Sequence, residues 1–343
     1  MTLDKKILTL DGLRGYAALL VLWAHIPQVT NSYLGETVHL LSSKLHAAYV
    51  GVDIFFVLSG FLITRILLYE KRTGTFSFRK FYIKRALRLF PIYYLTIIVV
   101  GFFITWDGIL PISLYVSNYY FSYNLTPHPM RHTWSLAVEE QFYLLWPLIL
   151  YFFNTKTSRL IIGYLFPIIS IVAAYYSFKI LDIELFENVI YRGTHYRILS
   201  LAIGSYIAFY EKKTLDNVRK ISYLFLGLIL FSMTVFSFEL MPDLILKMIL
   251  SSLLSSYILI LSLNVSKIKI LFTGRFIRFI GTISYGLYLY HYPILYFFNI
   301  EPGEDVPVSF GFAILIILTC FIVPIISYYF IEKPILKIKN KLK

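Results

Sequence analysis

Arg14 and His25 stand eleven residues apart in the first apolar run, L-D-G-L-R-G-Y-A-A-L-L-V-L-W-A-H over 10–25. In a helix, eleven steps of about 100° make three turns plus about 20°, so both side chains share one face about 16 Å apart along the axis. Asp11, three residues before Arg14, is within reach to pair with it. One stripe thus carries a paired cation and, deeper in the run, an imidazole suited to proton transfer near neutral pH. A plainer reading stays open for each: Arg14 as an interfacial arginine that snorkels, His25 as an interhelical hydrogen-bonding group. Their shared face favours a polar cavity. Gly15, Ala17 and Ala18 on the same run admit close helix approach.

The other ionisable groups in apolar context are few, and such groups are costly in lipid and usually functional. Asp53 opens the second run, G-V-D-I-F-F-V-L-S-G-F, and needs a partner or a wet cavity; Ser59 and Gly60 mark a close backbone approach or a helix irregularity. Lys84, Arg85 and Arg88 recur at helical spacing on the third run. They suit either an anchor on anionic lipid or, through forked donors, the phosphates of a cytosolic cofactor. The fourth run opens T-W-S-L-A-V-E-E-Q-F-Y, with Thr133 as a candidate cap, Glu139 and Glu140 near the positive end of the helix dipole, and Glu139 and Tyr143 on one face. His291, followed by Pro293 in S-Y-G-L-Y-L-Y-H-Y-P, reads as structural rather than catalytic. No Walker loop, nucleophile elbow, HExxH or dinucleotide fingerprint is present. The lone Cys320 leaves no intrachain disulfide and no cysteine metal site, and no metal is expected.

The elements that must position these groups are membrane helices. Of 343 residues, 58% are hydrophobic and 15% charged, against about 25% charged in a soluble domain. This excludes a water-soluble enzyme and a disordered or disulfide-stapled chain, and predicts an all-α, polytopic transmembrane bundle. Ten spans are expected, near 12–28, 47–68, 86–105, 134–153, 159–178, 196–210, 221–238, 244–263, 279–298 and 309–330. With the N-terminus inside, 24 of the 32 Lys and Arg fall in inner segments and 6 in outer ones, Arg14 and Arg65 lying within spans. That split predicts ten helices with both termini cytoplasmic, and it assigns the net charge of +13 to membrane lipid rather than to nucleic acid. A single domain over 1–343 is expected, with no signal cleavage site and no long soluble segment on either side.

Taken in order, L-D-G-L-R-G with His25, F-F-V-L-S-G-F, R-x-x-R-x-x-P-x-Y-Y, T-W-S-L-A-V-E-E-Q-F-Y and S-Y-G-L-Y-L-Y-H-Y-P resemble the bacterial acyltransferase 3 family over nearly the whole chain. Members are integral-membrane O-acyltransferases of surface polysaccharide, lipopolysaccharide, peptidoglycan or small glycans. The resemblance implies acetyl-CoA or a related acyl-CoA as cytosolic donor, a surface or lipid-linked glycan as acceptor, and residence in the bacterial inner membrane. It implies His25 as the catalytic residue with Arg14, and Glu139 or Asp53 to fix its tautomer. It places Arg85 and Arg88 at the CoA phosphates with Ser59 and Gly60 nearby. Arg197, in G-T-H-Y-R, is placed with Trp134 and His291 on the acceptor side. The extracytoplasmic SGNH-type domain of some members is not expected here, and a homo-oligomer is admitted. A transporter or flippase of glycan or lipid is the competing class; the absence of a visible inverted repeat and the one-sided basic cluster weigh against it.

Overall fold

The computed structural model describes residues 7–25, 47–210, 242–264, 266–301 and 308–341, and these are overwhelmingly helical, with no β-strand among them. The expected span at 221–238, and the basic residues of 1–6 and 211–220 used in the orientation count, lie outside the described residues. In chain order the helices are α1 (Leu8–His25), α2 (Ala47–Thr73), α3 (Phe78–Phe103), α4 (Ile109–Ser113), α5 (Ser117–Tyr123) and α6 (Trp134–Phe152). They continue with α7 (Thr155–Leu160), α8 (Phe166–Ile180), α9 (Ile183–Arg192), α10 (Thr194–Phe209), α11 (Pro242–Asn264), α12 (Ser266–Thr273), α13 (Arg275–Phe297), α14 (Phe310–Ser327) and α15 (Lys333–Lys341). A helix satisfies its own backbone, so an apolar run embedded in lipid folds this way.

Among the described residues, five helical stretches are long and apolar enough to cross a membrane: Ala47–Thr73, Phe78–Phe103, Thr155–Ile180, Ile245–Leu263 and Phe310–Ile338. This is the make-up of a multi-pass membrane protein. The short helices α4, α5 and α9 connect longer ones and carry no spanning signal. Two π-helical turns, Ile161–Leu165 and Tyr328–Glu332, link α7 to α8 and α14 to α15. Each ends just ahead of a proline, Pro167 or Pro334. A proline has no N–H for the carbonyl four residues back, so the ladder widens there instead of breaking.

The interior is built on α2. Its most apolar window is 72% buried, against 17% for Thr155–Ile180, so α2 is wrapped by protein and the α7–α8 stretch leaves an apolar face outward. Phe102, Phe103, Ile171, Ile180 and Phe330 belong to that outer apolar surface. Backbones meet closely at glycines. A Cβ on Gly60 of α2 would stand 2.0 Å from the Leu201 carbonyl oxygen, and one on Gly204 of α10 would stand 1.9 Å from that of Val57. Across α1 and α13, a Cβ on Gly281 would reach within 1.7 Å of the Asp11 oxygen. Helix α1 is thereby clamped between α2 and α13, as Gly15, fully buried Ala17 and fully buried Ala18 suggest.

One local expectation is corrected. Thr133 does not cap α6. A 3-10 turn, Arg131–Thr133, runs straight into the helix, so Thr133 has αR backbone angles and its hydroxyl cannot turn back onto the first turn. It donates instead to the Met130 carbonyl at 2.7 Å, and its oxygen lies 3.2 Å from Ser117 Oγ.

Candidate active site

A cavity of about 310 Å³ is enclosed by α1, α2, α3, α6 and α13. Along α2 it is lined from Val52 through Ser59 to Glu70. Eighteen steps of about 1.5 Å make about 27 Å, close to the ~30 Å thickness of a hydrocarbon core. Into this space the fold brings Arg14, Ser59, Arg85, Arg88 and Glu139, with Lys84 beside the arginines. These residues are contributed by four helices, and the helical phase of each run aims them inward.

The polar groups of the cavity hold one another. Ser59 Oγ donates to Glu139 Oε1 at 2.6 Å. Arg14 donates to Asp11 Oδ1 at 3.2 Å. Arg85 is paired to Glu140 at 3.4 Å, and its guanidinium carbon lies 3.0 Å from the Tyr143 ring centroid. Arg88 lines the cavity and is exposed, with no ion pair among the described residues. Cations therefore cluster at the end formed by the start of α3. The opposite end is formed by Ser135 and Tyr288, where the Tyr288 hydroxyl lies 2.5 Å from Ser135 Oγ and 3.1 Å from the His132 carbonyl.

His25 stands just past that end. Its ring centroid lies 5.2 Å from those of His291 and Tyr292. Its Nδ1 is 2.8 Å from the Val21 carbonyl. A carbonyl only accepts, so Nδ1 carries the proton and Nε2 presents its lone pair. Neither Glu139 nor Asp53 is the group on His25 Nδ1; the helix's own backbone is. His291 is fully buried, its Nδ1 bonded to the Tyr288 carbonyl at 2.6 Å. His132, 4% exposed, bonds through Nε2 to the Leu289 carbonyl at 3.0 Å and stacks on Tyr292 at 4.9 Å. The remaining nitrogens, His291 Nε2 and His132 Nδ1, are buried with no hydrogen-bond partner.

Asp53 and Arg197 form a separate group. Arg197 donates to Asp53 at 2.9 Å with both side chains almost fully buried, and Ser200 Oγ donates to the same carboxylate oxygen at 2.6 Å. The Arg197 guanidinium carbon lies 5.5 Å from the Trp134 ring centroid. Of the three residues expected on the acceptor side, Arg197 and Trp134 therefore meet, while His291 sits with His25. Gly60 does not line the cavity; it serves the α2–α10 contact and its carbonyl accepts from Ser205.

Sequence reasoning did not single out His132, Ser135 or Tyr288. Two signals pointed to them. His132 and Ser135 adjoin or lie within the Trp134–Glu139 stretch, and Tyr288 lies one turn before His291. Among the described residues, no group of three or more His, Cys, Asp or Glu is placed to hold a metal ion.

Residues 7–332 match a protein family described as an acyltransferase domain, acyltransferase 3. The chain is 32% identical to a putative peptidoglycan O-acetyltransferase, YrhL, of Bacillus subtilis, over 95% of its own length and 54% of that protein's. It is 31% identical to the peptidoglycan O-acetyltransferase OatA of Listeria monocytogenes (97% and 56%). It is 30% identical to a putative O-acetyltransferase of Staphylococcus aureus (97% and 58%). The chain thus spans little more than half the length of these relatives. No solved structure matches it. With one bundle carrying the match from α1 to the π turn before α15, the chain belongs to the acyltransferase 3 family.

Proposed function

We propose that the chain is a membrane O-acyltransferase that moves an acetyl or related acyl group from a cytosolic acyl-CoA to a hydroxyl of a cell-envelope glycan. The observation that carries this is a continuous cavity that runs from a cationic mouth to the edge of the His25 cluster. The volume falls in the ~300–1,000 Å³ range of small-molecule sites. Its chemistry fits the donor. Arg88 and Lys84, with Arg85, face phosphates, and the apolar walls of α2 accept a thin, extended arm. In this reading the ten-span topology has both termini in the cytoplasm of a bacterial cell and the bundle in the inner membrane. The glycan is of the peptidoglycan class, as in the names of the relatives.

His25 acts as the base in this scheme. With Nδ1–H tied to Val21, Nε2 takes the proton of the attacking sugar hydroxyl as its oxygen bonds to the thioester carbon, and the CoA thiolate leaves. Arg14, inside the cavity, steadies negative charge on the donor or on the thioester oxygen. Glu139 and Ser59 form a polar station midway along the arm's path.

The test is acetyl-CoA-dependent O-acetylation by membranes carrying the wild-type chain or His25→Ala. A base contributes about 10²–10⁴-fold, so His25→Ala lowers kcat by that order with the KM for acetyl-CoA little changed. Wild-type rates from correctly inserted His25→Ala protein would remove His25 from the role. Glycan movement without acyl transfer would replace the enzyme with a transporter.

A further inference from the structure

A second cavity, of about 390 Å³, is formed by the segment after α3 (Ile104–Gly108), the segment after α5 (Asn124–Pro129), Tyr120 and Tyr296. Three stretches of chain put it on the far side of the histidine cluster from the cationic mouth. Along α13, Tyr285 and Tyr288 line the first cavity, His291 and Tyr292 belong to the cluster, and Tyr296 lines the second. Going back from α6, Glu139 and Ser135 line the first, His132 joins the cluster, and His128 lines the second. Along α3, Arg85 and Arg88 line the first, and Ile104 and Thr105, just past the helix end, line the second. The Tyr296 and Tyr292 rings are 6.3 Å apart, and Tyr292 touches both His25 and His132.

We propose that this second cavity is the acceptor subsite, and that it takes a neutral sugar ring of the glycan whose hydroxyl is to be acylated. The inference rests on the acyltransferase reading and deepens it. The wall has the chemistry of a saccharide site. Asp107 offers a carboxylate with no side-chain partner among the described residues, an acceptor for sugar hydroxyls. Asn124 spends one N–H on the Tyr120 oxygen at 2.8 Å and its own oxygen on Thr126 at 2.6 Å. That leaves its second N–H and the Tyr120 hydroxyl proton to donate. Tyr120 and Tyr296 supply flat apolar surface for ring C–H faces. Among the described residues no Lys or Arg lines the cavity and the one carboxylate there disfavours a phosphate, so the sugar rather than a charged carrier belongs here.

The subsite is preformed. His128 Nε2 donates to the Asp107 carbonyl at 3.0 Å and His128 Nδ1 accepts from the Met130 N–H at 3.0 Å, tying the two wall segments together. Arg131, outside the wall, donates to the carbonyls of Asn124 and Thr126.

The experiment uses the full chain, purified in lipid nanodiscs, and a 1,4-linked N-acetylhexosamine tetrasaccharide as probe. Binding is titrated without donor for wild type, Asp107→Ala and Asn124→Ala, alongside the KM for acetyl-CoA. Losing a hydrogen bond to a charged or buried polar wall group weakens the saccharide about tenfold, with the KM for acetyl-CoA unchanged. No saccharide binding by wild type, or binding unchanged in both variants, overturns the subsite. Should either variant fail to fold, Thr126→Cys at an exposed position carries the test: the saccharide slows its labelling by a maleimide, against a background of one buried native cysteine, and no protection overturns the proposal. Acyl transfer that persists with unaltered saccharide binding in the variants defeats the subsite alone. Saccharide binding with no acyl transfer defeats the acyltransferase reading alone.

Discussion

Arg85 and Arg88 are one helical turn apart, yet α6 treats them differently. Arg85 is held by Glu140 and by the ring of Tyr143, while Arg88 reaches the cavity without an ion pair among the described residues. An arginine already paired contributes part of its charge to the fold, and an unpaired one is available to a ligand. Arg88→Ala is therefore expected to raise the KM for acetyl-CoA about ten- to a hundredfold, the worth of a charge-assisted hydrogen bond, with little change in thermal stability. Arg85→Ala lowers both donor affinity and the unfolding midpoint. The Asp53–Arg197 pair is a different case. With Asp53 fully buried, Arg197→Met strands a carboxylate and is expected to cost about 3–5 kcal/mol, whereas Asp53→Leu combined with Arg197→Met is far milder. Unfolding of the detergent-solubilised variants measures both. Comparable losses in single and double variants would mean that the pair does not set the stability there.

Helix α2 supplies the longest wall of the cavity, and close glycine contacts fix its other side to α10. A Cβ at Gly204 would fall 1.9 Å from the Val57 carbonyl oxygen, a backbone atom that cannot swing aside. Gly204→Ala must push α10 off α2, and an overpacking cost of about 1–3 kcal/mol or more is expected, read as a lowered unfolding midpoint. The connecting segments carry their own constraint. Burial holds the His128 imidazole below its ordinary value, its bond to the Asp107 carbonyl and the Asp107 charge oppose that, and Arg131 adds to it. The fold thus favours the neutral ring, whose Nδ1 must stay unprotonated to accept from Met130. This contribution is complete above the unfolded value of about 6.5 and is lost as pH falls below it. The unfolding midpoint should fall with acidification in that window, and His128→Gln should flatten the fall.

At the scale of the whole molecule, two cavities lined by described residues approach one histidine cluster from opposite ends, which is the geometry the proposed transfer requires. Much of this was legible in the sequence. The helical nature of the bundle followed from composition and apolar runs, and the motifs singled out Arg14, Ser59, Arg85, Arg88 and Glu139, which the structure brings to one cavity. Hydropathy and the 3.6-residue repeat are local properties of a chain, and so they are readable before it folds. His132 and the Asp107–Asn124 wall escaped notice because they stand in short segments with no periodicity. Their importance comes from what lies beside them. Only the tertiary structure decided that Asp53 meets Arg197, 144 residues away, and that His25 is oriented by its own helix backbone and packs on His291. Which side chains become neighbours depends on which helices approach, and that was set by where glycines let two backbones touch.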